Sequence, residues 1–412
     1  MKQRWGYLAW AGLLSAGLVW AGQMAWANDA QTAVIATVAS DYTSGAHAVA
    51  TVDPVGGPRT IQTNLLPTIS DITVVAYGDH FYRLERYDAD NVTKFHVDAP
   101  DTPVWQRSVK DEADGDTSPN PYDILFVSEE KAYVIRYGSP KIWIINPSVE
   151  TCGCAFKTGE IDLSAYADAD GSPEACGGVI VDRKKLFVVM QRQEFYQLST
   201  DRPAYVAVID VATDTEIDTS NGTASLPGIP LTVQNPLSII YLAATDKVYV
   251  QGIGNAYGNP KAYTGGIESI SPNGYATAMV LDDGDDVTHP YGSIGGMALI
   301  SDQKGYFVGY DGWQDNTLYR FNPSTGAVMG AVEGFSHIAI SGMEGGVYPD
   351  QNKMLWVCNQ TDARIDILNT ETDTIDESLS TDLNPAKVVF VGGGAGEGAG
   401  SGNDSCFIST LF

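Results

Sequence analysis

Three acid-rich stretches carry the most reactive side chains in this chain: Asp282-Asp283-Gly284-Asp285-Asp286, just before His289; Asp168-Ala169-Asp170-Gly171; and Asp111–Asp116. Carboxylates crowded onto a glycine-turned loop are what Ca²⁺ coordination needs, because that ion takes several oxygen ligands at once. Asp282, Asp283, Asp285 and Asp286 are therefore the candidate Ca²⁺ ligands, and Ca²⁺ is the one cofactor the sequence suggests. No glutamate stands at the offset that would complete a helix–loop–helix calcium site, so a solvated acidic loop is the plainer reading. The histidines, His47, His80, His96, His289 and His337, are scattered and make no HxxxH or HExxH pair. There is no CxxCH haem motif, no GxSxG elbow and no Ser/His/Asp order. No nucleophile or general acid can be assigned, which leans the reading away from an enzyme.

Cys152, Cys154 and Cys176 are expected to lie within one repeat unit. In an oxidising compartment, Cys176 is expected to pair with either Cys152 or Cys154. Cys358 ends a strongly apolar run and reads as a small buried residue. Cys406 follows the glycine-rich segment that starts at Gly392 and precedes Phe407–Phe412. A glycine spacer, a lone cysteine and a short apolar end resemble bacterial C-terminal processing tails, which makes Cys406 a candidate modification site. The apolar span and basic residues that usually complete such tails are missing.

The compartment is suggested by the other end. Lys2 and Arg4 precede an apolar run from about Tyr7 to Ala21, and Ala25-Trp26-Ala27 places small residues where a signal peptidase reads them. Charge, short apolar core and cleavage site occur in the order of a secretory signal peptide, expected over residues 1–27. No second apolar run is long enough to span a bilayer. Export to the periplasm, the medium or the cell surface is expected. Loss of residues 1–27 takes the formal net charge from −27 to −29, because it removes Lys2 and Arg4 and no acid. Such a balance repels nucleic acid and anionic membranes.

The elements that would position these residues are short strands. Downstream of the signal, Gly, Pro, Asn, Asp and Thr punctuate runs of Val, Ile, Tyr and Phe, and helical periodicity is nearly absent. A unit recurs: an apolar run, a polar turn, an aromatic run, a loop, a third run and a turn. Its second-run aromatics, Tyr82, Tyr133, Phe187, Tyr249, Tyr306 and Trp356, lie 50 to 62 residues apart. Ser301–Val332 shows the unit well, with Thr317–Asn322 alternating at the period of a strand. Four strands at this period make a propeller blade. Ala33–Val38, His47–Asp53 and Arg59–Leu65 lack a first strand, and Lys387–Val391 is a first strand with nothing after it. Joined, they complete one more blade and remove the exposed sheet edges. The expected fold is an all-β, seven-bladed β-propeller of four-stranded antiparallel blades over residues 28–391, followed by a flexible tail at 392–412.

Trp356-Val357-Cys358-Asn359 followed by Ala363–Thr372, together with Val206–Thr215 and Tyr319–Gly326, resembles the repeat of the YVTN-type propellers. The resemblance implies the architecture, since such propellers do unrelated jobs.

In a propeller, loops between second and third strands gather on one face. Here they carry Tyr42, Tyr87, Tyr137, Arg192, Tyr196, Tyr257, Tyr263, Tyr310, Trp313 and Asp362, the candidate ligand-binding residues. Aromatics with polar tips beside charges suit a protein, peptide or glycan partner. The expected function is an exported, monomeric, non-catalytic binding propeller. A propeller enzyme (lyase, lactonase or quinoprotein-type dehydrogenase) with its site at the channel mouth is the alternative, and a structural cell-surface component is a third.

Overall fold

The computed structural model describes residues 31–53, 58–193, 198, 202–258, 260–341 and 345–392. The expected signal peptide and the tail beyond Gly392, including Cys406, lie outside the described residues, as do Tyr196 and its neighbour Phe195.

Seven sheets, each built on a path of four antiparallel strands, form the ring. Blade 1 takes its innermost strand, Asn384–Val391, from the far end of the chain and continues with Thr32–Val38, Gly45–Thr51 and Ile61–Thr68. Val34 lies opposite Val389, and Thr32 opposite Val391. Blades 2 to 7 follow in chain order, with innermost strands Ile72–Tyr77, Pro121–Ser128, Ala175–Val181, Pro236–Leu242, Ser293–Leu299 and Val347–Pro349. Blade 4 is the irregular one: its third strand, Tyr205–Asp210, is flanked by two short pieces, Thr215–Glu216 and Ile229–Pro230.

The core lies between blades. Alternate residues of each middle strand face opposite neighbours, so both faces are apolar and the strands read as continuous hydrophobic runs. The repeated aromatics Tyr82, Tyr133, Phe187, Tyr249, Tyr306 and Trp356 are all buried. Each blade is also latched to the next. Tyr133 and Lys131 of blade 3 reach Asp214, in the turn before blade 4's last strand. Lys185 of blade 4 donates to Pro272 O of blade 5 at 2.7 Å, and Tyr306 and Lys304 of blade 6 bind Asp373 of blade 7.

Because the strands alternate in direction, two sets of turns leave at the same end of the ring. One joins second to third strands, and the other leads from one blade's outermost strand to the next blade's innermost. The acid-rich loops belong to the second set, so they share an end with the aromatic loops. This end is the rim.

Candidate functional site

The rim differs in composition from the rest of the surface. Among the described residues, the large hydrophobic side chains that stand exposed are ten. Six of these are on rim turns: Tyr42, Ile69, Tyr87, Tyr257, Val287 and Trp313. The other four, Val104, Met279, Met329 and Ile375, lie on outermost strands, and none lies on the turns of the opposite end. Among the described residues, the exposed aromatics Tyr42 (53%), Tyr87 (43%), Tyr257 (51%) and Trp313 (65%) are all on loops between second and third strands.

Three of the expected binding residues come together between blades 5 and 6. Lys261 donates to Tyr310 O at 3.2 Å, and its ammonium sits 4.9 Å from the Tyr263 ring centre and 5.3 Å from that of Tyr310. Tyr257 meets Tyr310 edge-on with centroids 5.6 Å apart, and Tyr263 stacks on His289 at 3.9 Å. Burial lowers the Lys261 pKa, although Asp311 and Asp283 oppose it. The arrangement offers flat apolar area and one cation, with hydrogen-bonding tips at its edge. Tyr42, Tyr87 and Trp313 each stand on the loop of a separate blade.

Other expected site residues serve the scaffold. Tyr137 is buried, stacks on Tyr122 at 4.6 Å and donates to Gln191 Oε1 at 2.9 Å. Arg192 is also buried: it donates to Tyr166 O (3.0 Å) and Pro203 O (3.1 Å) and lies over the Tyr205 ring. Both turn back under their loops. Asp362 is exposed but engaged locally by Asn359 Nδ2 and Arg364.

The four candidate Ca²⁺ ligands do not converge. Asp282 accepts its own loop's Gly284 N–H, and Asp285 accepts those of Val287 and Thr288. Asp283 turns inward, fully buried, and takes the Gly265 N–H on both oxygens. Among the described residues no group of three or more His, Cys, Asp or Glu side chains could hold a metal. The other acid-rich loops are likewise bound up: Asp114 pairs with Arg136, Asp111 with Lys157 and Asp168 with Arg202.

The expected disulfide is also corrected. Cys152 is bonded to Cys154, and Cys176 is a free thiol. Cys176 begins an innermost strand at the rim end, buried with its Sγ against Val189 O and Pro236 O. Cys152 and Cys154 lie in the turn before blade 3's outermost strand, at the opposite end. Cys358 is buried, as expected.

A second cluster lies where the innermost strands begin, and sequence reasoning missed it. The residue directly before the first strand of blades 3 to 7 has a left-handed backbone: Asn120 (φ +50°), Glu174 (+50°), Asn235 (+49°), Gly292 (+65°) and Gly346 (+65°). Gly adopts this conformation freely and Asn more readily than most residues, whereas a long side chain pays more for it. Glu174 is the exception, and it is buried. Its Oε2 accepts the Gln193 N–H at 2.8 Å. Burial first, then the nearby Asp170 charge, pushes its pKa up to about 9. Asp283 is likewise raised to about 7 by burial. Asp123, on blade 3's innermost strand, is fully buried, with the Ile124 and Gly178 backbone beside its carboxylate. Burial raises its pKa against the Lys387 charge. Tyr137, Gln191, Gln193 and Asn235 link these blades by side-chain hydrogen bonds. Aligning the repeats at this one position, where Glu interrupts Asn and Gly, is the signal that would have singled out Glu174.

No protein-family model matches the chain, and no curated protein is similar to it. Solved structures do match. A candidate 6-phosphogluconolactonase from Bacteroides uniformis is similar over 88% of this chain and 100% of its own, at 13% identity and a TM-score of 0.60. The hydrazine synthase of Kuenenia stuttgartiensis is similar over 84% of this chain and 95% of its own, at 15% identity and 0.50. The dihydro-haem d1 dehydrogenase NirN follows, over 87% of this chain and 74% of its own, at 11% identity and 0.50. At such identities the likeness is one of fold.

Proposed function

We propose that this chain is an exported, non-catalytic recognition propeller of the YVTN-like type, which holds a protein, peptide or glycan on its rim. The observation that carries this reading is the one-sided placement of exposed aromatics: the four among the described residues all lie on second-to-third-strand loops of one end. Surface aromatics contribute binding energy through area and through the hydrogen-bonding tip of tyrosine. The cluster of Lys261, Tyr257, Tyr263 and Tyr310 is the focus of that surface. The acidic remainder disfavours nucleic acid and anionic lipid as partners.

The test is a screen of glycan and peptide arrays with the purified protein, followed by calorimetric titration of the best ligand. Serine at Tyr42, Tyr87, Tyr257 and Trp313 together should weaken that ligand at least about 100-fold, with a melting temperature close to that of the parent. Undiminished affinity in the quadruple variant would remove the rim from the reading.

A second reading, a hydrolytic or lyase activity at the channel mouth, is favoured by Glu174. A buried carboxyl in a left-handed backbone that holds its proton at neutral pH is a candidate general acid. Turnover that Glu174→Gln abolishes without loss of fold would move the assignment there.

A further inference from the structure

The Cys152–Cys154 bond joins two residues separated only by Gly153, and all three are exposed. A cross-link stabilises a fold chiefly by closing a loop, and the effect shrinks with the loop. This one closes the smallest loop in the chain and ties no strand to another. The turn around it is already held, by Thr151 N–H to Ser148 O and Gly153 N–H to Val149 O. Its structural worth is therefore small.

Its surroundings fit a different use. The Cys154 N–H points at Cys152 Sγ, 3.3 Å away. Asn146 Nδ2 lies 3.1 Å from Cys154 Sγ and 3.8 Å from Cys152 Sγ. Donors aimed at sulfur favour the thiolate, which makes a sulfur a better leaving group. Beside the bond is a cavity of about 350 Å³ lined by Arg107, Val149, Gly153, Cys154 and Phe156. Cys154 thus lines an open depression together with the apolar Val149 and Phe156 and with Arg107. Glu150, in the turn that leads into Cys152, is occupied by Lys94 and by Trp105 Nε1. Cys176 and Cys358 are buried and cannot take part.

We infer that Cys152–Cys154 is a thiol–disulfide exchange site that accepts two electrons from a dithiol. A thiolate of the dithiol attacks Cys154 Sγ from the cavity. The Cys152–Cys154 bond breaks, and Cys152 leaves as a thiolate held by the Cys154 N–H and by Asn146. The dithiol's second sulfur, as thiolate, then displaces Cys154 from the mixed disulfide. The dithiol ends as a disulfide, and the protein carries two reduced cysteines that take up the two protons. The site is on the end of the ring opposite the rim, so it stands or falls independently of the binding reading.

The test uses the full chain with Cys406→Ser. Native protein is treated with millimolar dithiothreitol at neutral pH, alkylated without denaturant and read by peptide mass spectrometry. Labelling of Cys152 and Cys154 within minutes is expected, with Cys176 and Cys358 unlabelled, the melting temperature nearly unchanged, and the bond restored by glutathione disulfide. Asn146→Ala should slow alkylation of the reduced pair up to about tenfold at neutral pH, by raising the thiol pKa, and match the parent at alkaline pH where both are ionised. Failure of the native bond to reduce would overturn the proposal, as would unfolding on reduction. An alkylation pH profile that Asn146→Ala leaves unmoved would do the same.

Discussion

Glu174 occupies a place where a carboxyl group is costly. Its backbone is left-handed and its side chain is buried, yet its neighbours in the repeat are Asn and Gly. The sign of its pH effect follows from linkage. The pKa is raised from 4.5 in the unfolded chain to about 9 in the fold. Between those values the folded protein keeps a proton that the unfolded chain has released. The group therefore favours the fold below about pH 4.5, and that advantage is lost as pH rises towards about 9. Glu174→Gln keeps the acceptor for the Gln193 N–H and cannot ionise. It should match the parent in denaturant titrations at acidic pH and exceed it by about 1 kcal/mol or more at mildly alkaline pH. Parallel pH profiles for the two proteins would contradict the assignment. Nothing in the string Ser172-Pro173-Glu174-Ala175 announces this residue, because its distinction is conformational. The burial of Arg192 and Tyr137 is invisible in the sequence for a related reason. Loop position tells which end a residue leaves from, but not whether its side chain turns outward or back beneath the loop.

At the scale of elements, the strands were legible because their alternation and turn chemistry agree with the blade. The Lys-x-aromatic run that recurs at Lys131–Tyr133, Lys185–Phe187, Lys247–Tyr249 and Lys304–Tyr306 was legible only as a strand. The structure shows it is also a latch: Lys131, Lys185 and Lys304, and the phenols of Tyr133, Tyr249 and Tyr306, cross to the next blade's last turn. That partnership joins residues 67 apart for Tyr306 and Asp373, which no local pattern reports. Asp373 takes Tyr306, Lys304 and Arg320 together. Burial pushes its carboxyl up, but these three donors outweigh it and hold the pKa below the usual range. Its contribution is thus present above the unfolded pKa near 4 and lost as pH falls through the folded one. Asp373→Ala removes the acceptor that Tyr306, Lys304 and Arg320 share and should cost about 2–3 kcal/mol at neutral pH, and less in acid. Tyr306→Phe removes one hydrogen bond and should cost about 1 kcal/mol. Thermal and denaturant unfolding of both variants checks the order. A neutral Asp373→Ala would mean that the blades hold by apolar packing alone.

For the whole molecule, closure of the ring is the property most of the rest depends on. It was legible because the chain opens with three strands lacking a first and later supplies a lone Val-rich strand, Lys387–Val391. The structure pairs them along Thr32–Val38, so blade 1 is sealed by hydrogen bonds where every other blade is continuous chain. Thr32 lies opposite Val391, and Gly392 N–H reaches Gly78 O of the next blade's first turn. The two backbones thus approach each other at the end where other blades make a tight first-to-second-strand hairpin, such as Gly78-Asp79. If closure is a matter of pairing and not of chain order, the seam can be moved. A permutant of residues 31–392 joined from Gly392 to Gln31 by a short Asn-Gly turn, and opened between Glu129 and Glu130 in the equivalent turn of blade 3, should fold. Its circular dichroism should match the parent, and its melting temperature should lie within several degrees, because a new short hairpin costs little loop entropy. Deleting residues 384–392 from the unpermuted chain instead strips blade 1 of its innermost strand and bares an edge beside blades 2 and 7. That protein should aggregate or lose cooperative unfolding, as judged by light scattering and calorimetry. A permutant that fails while the deletion folds would show that the seam does not close the ring.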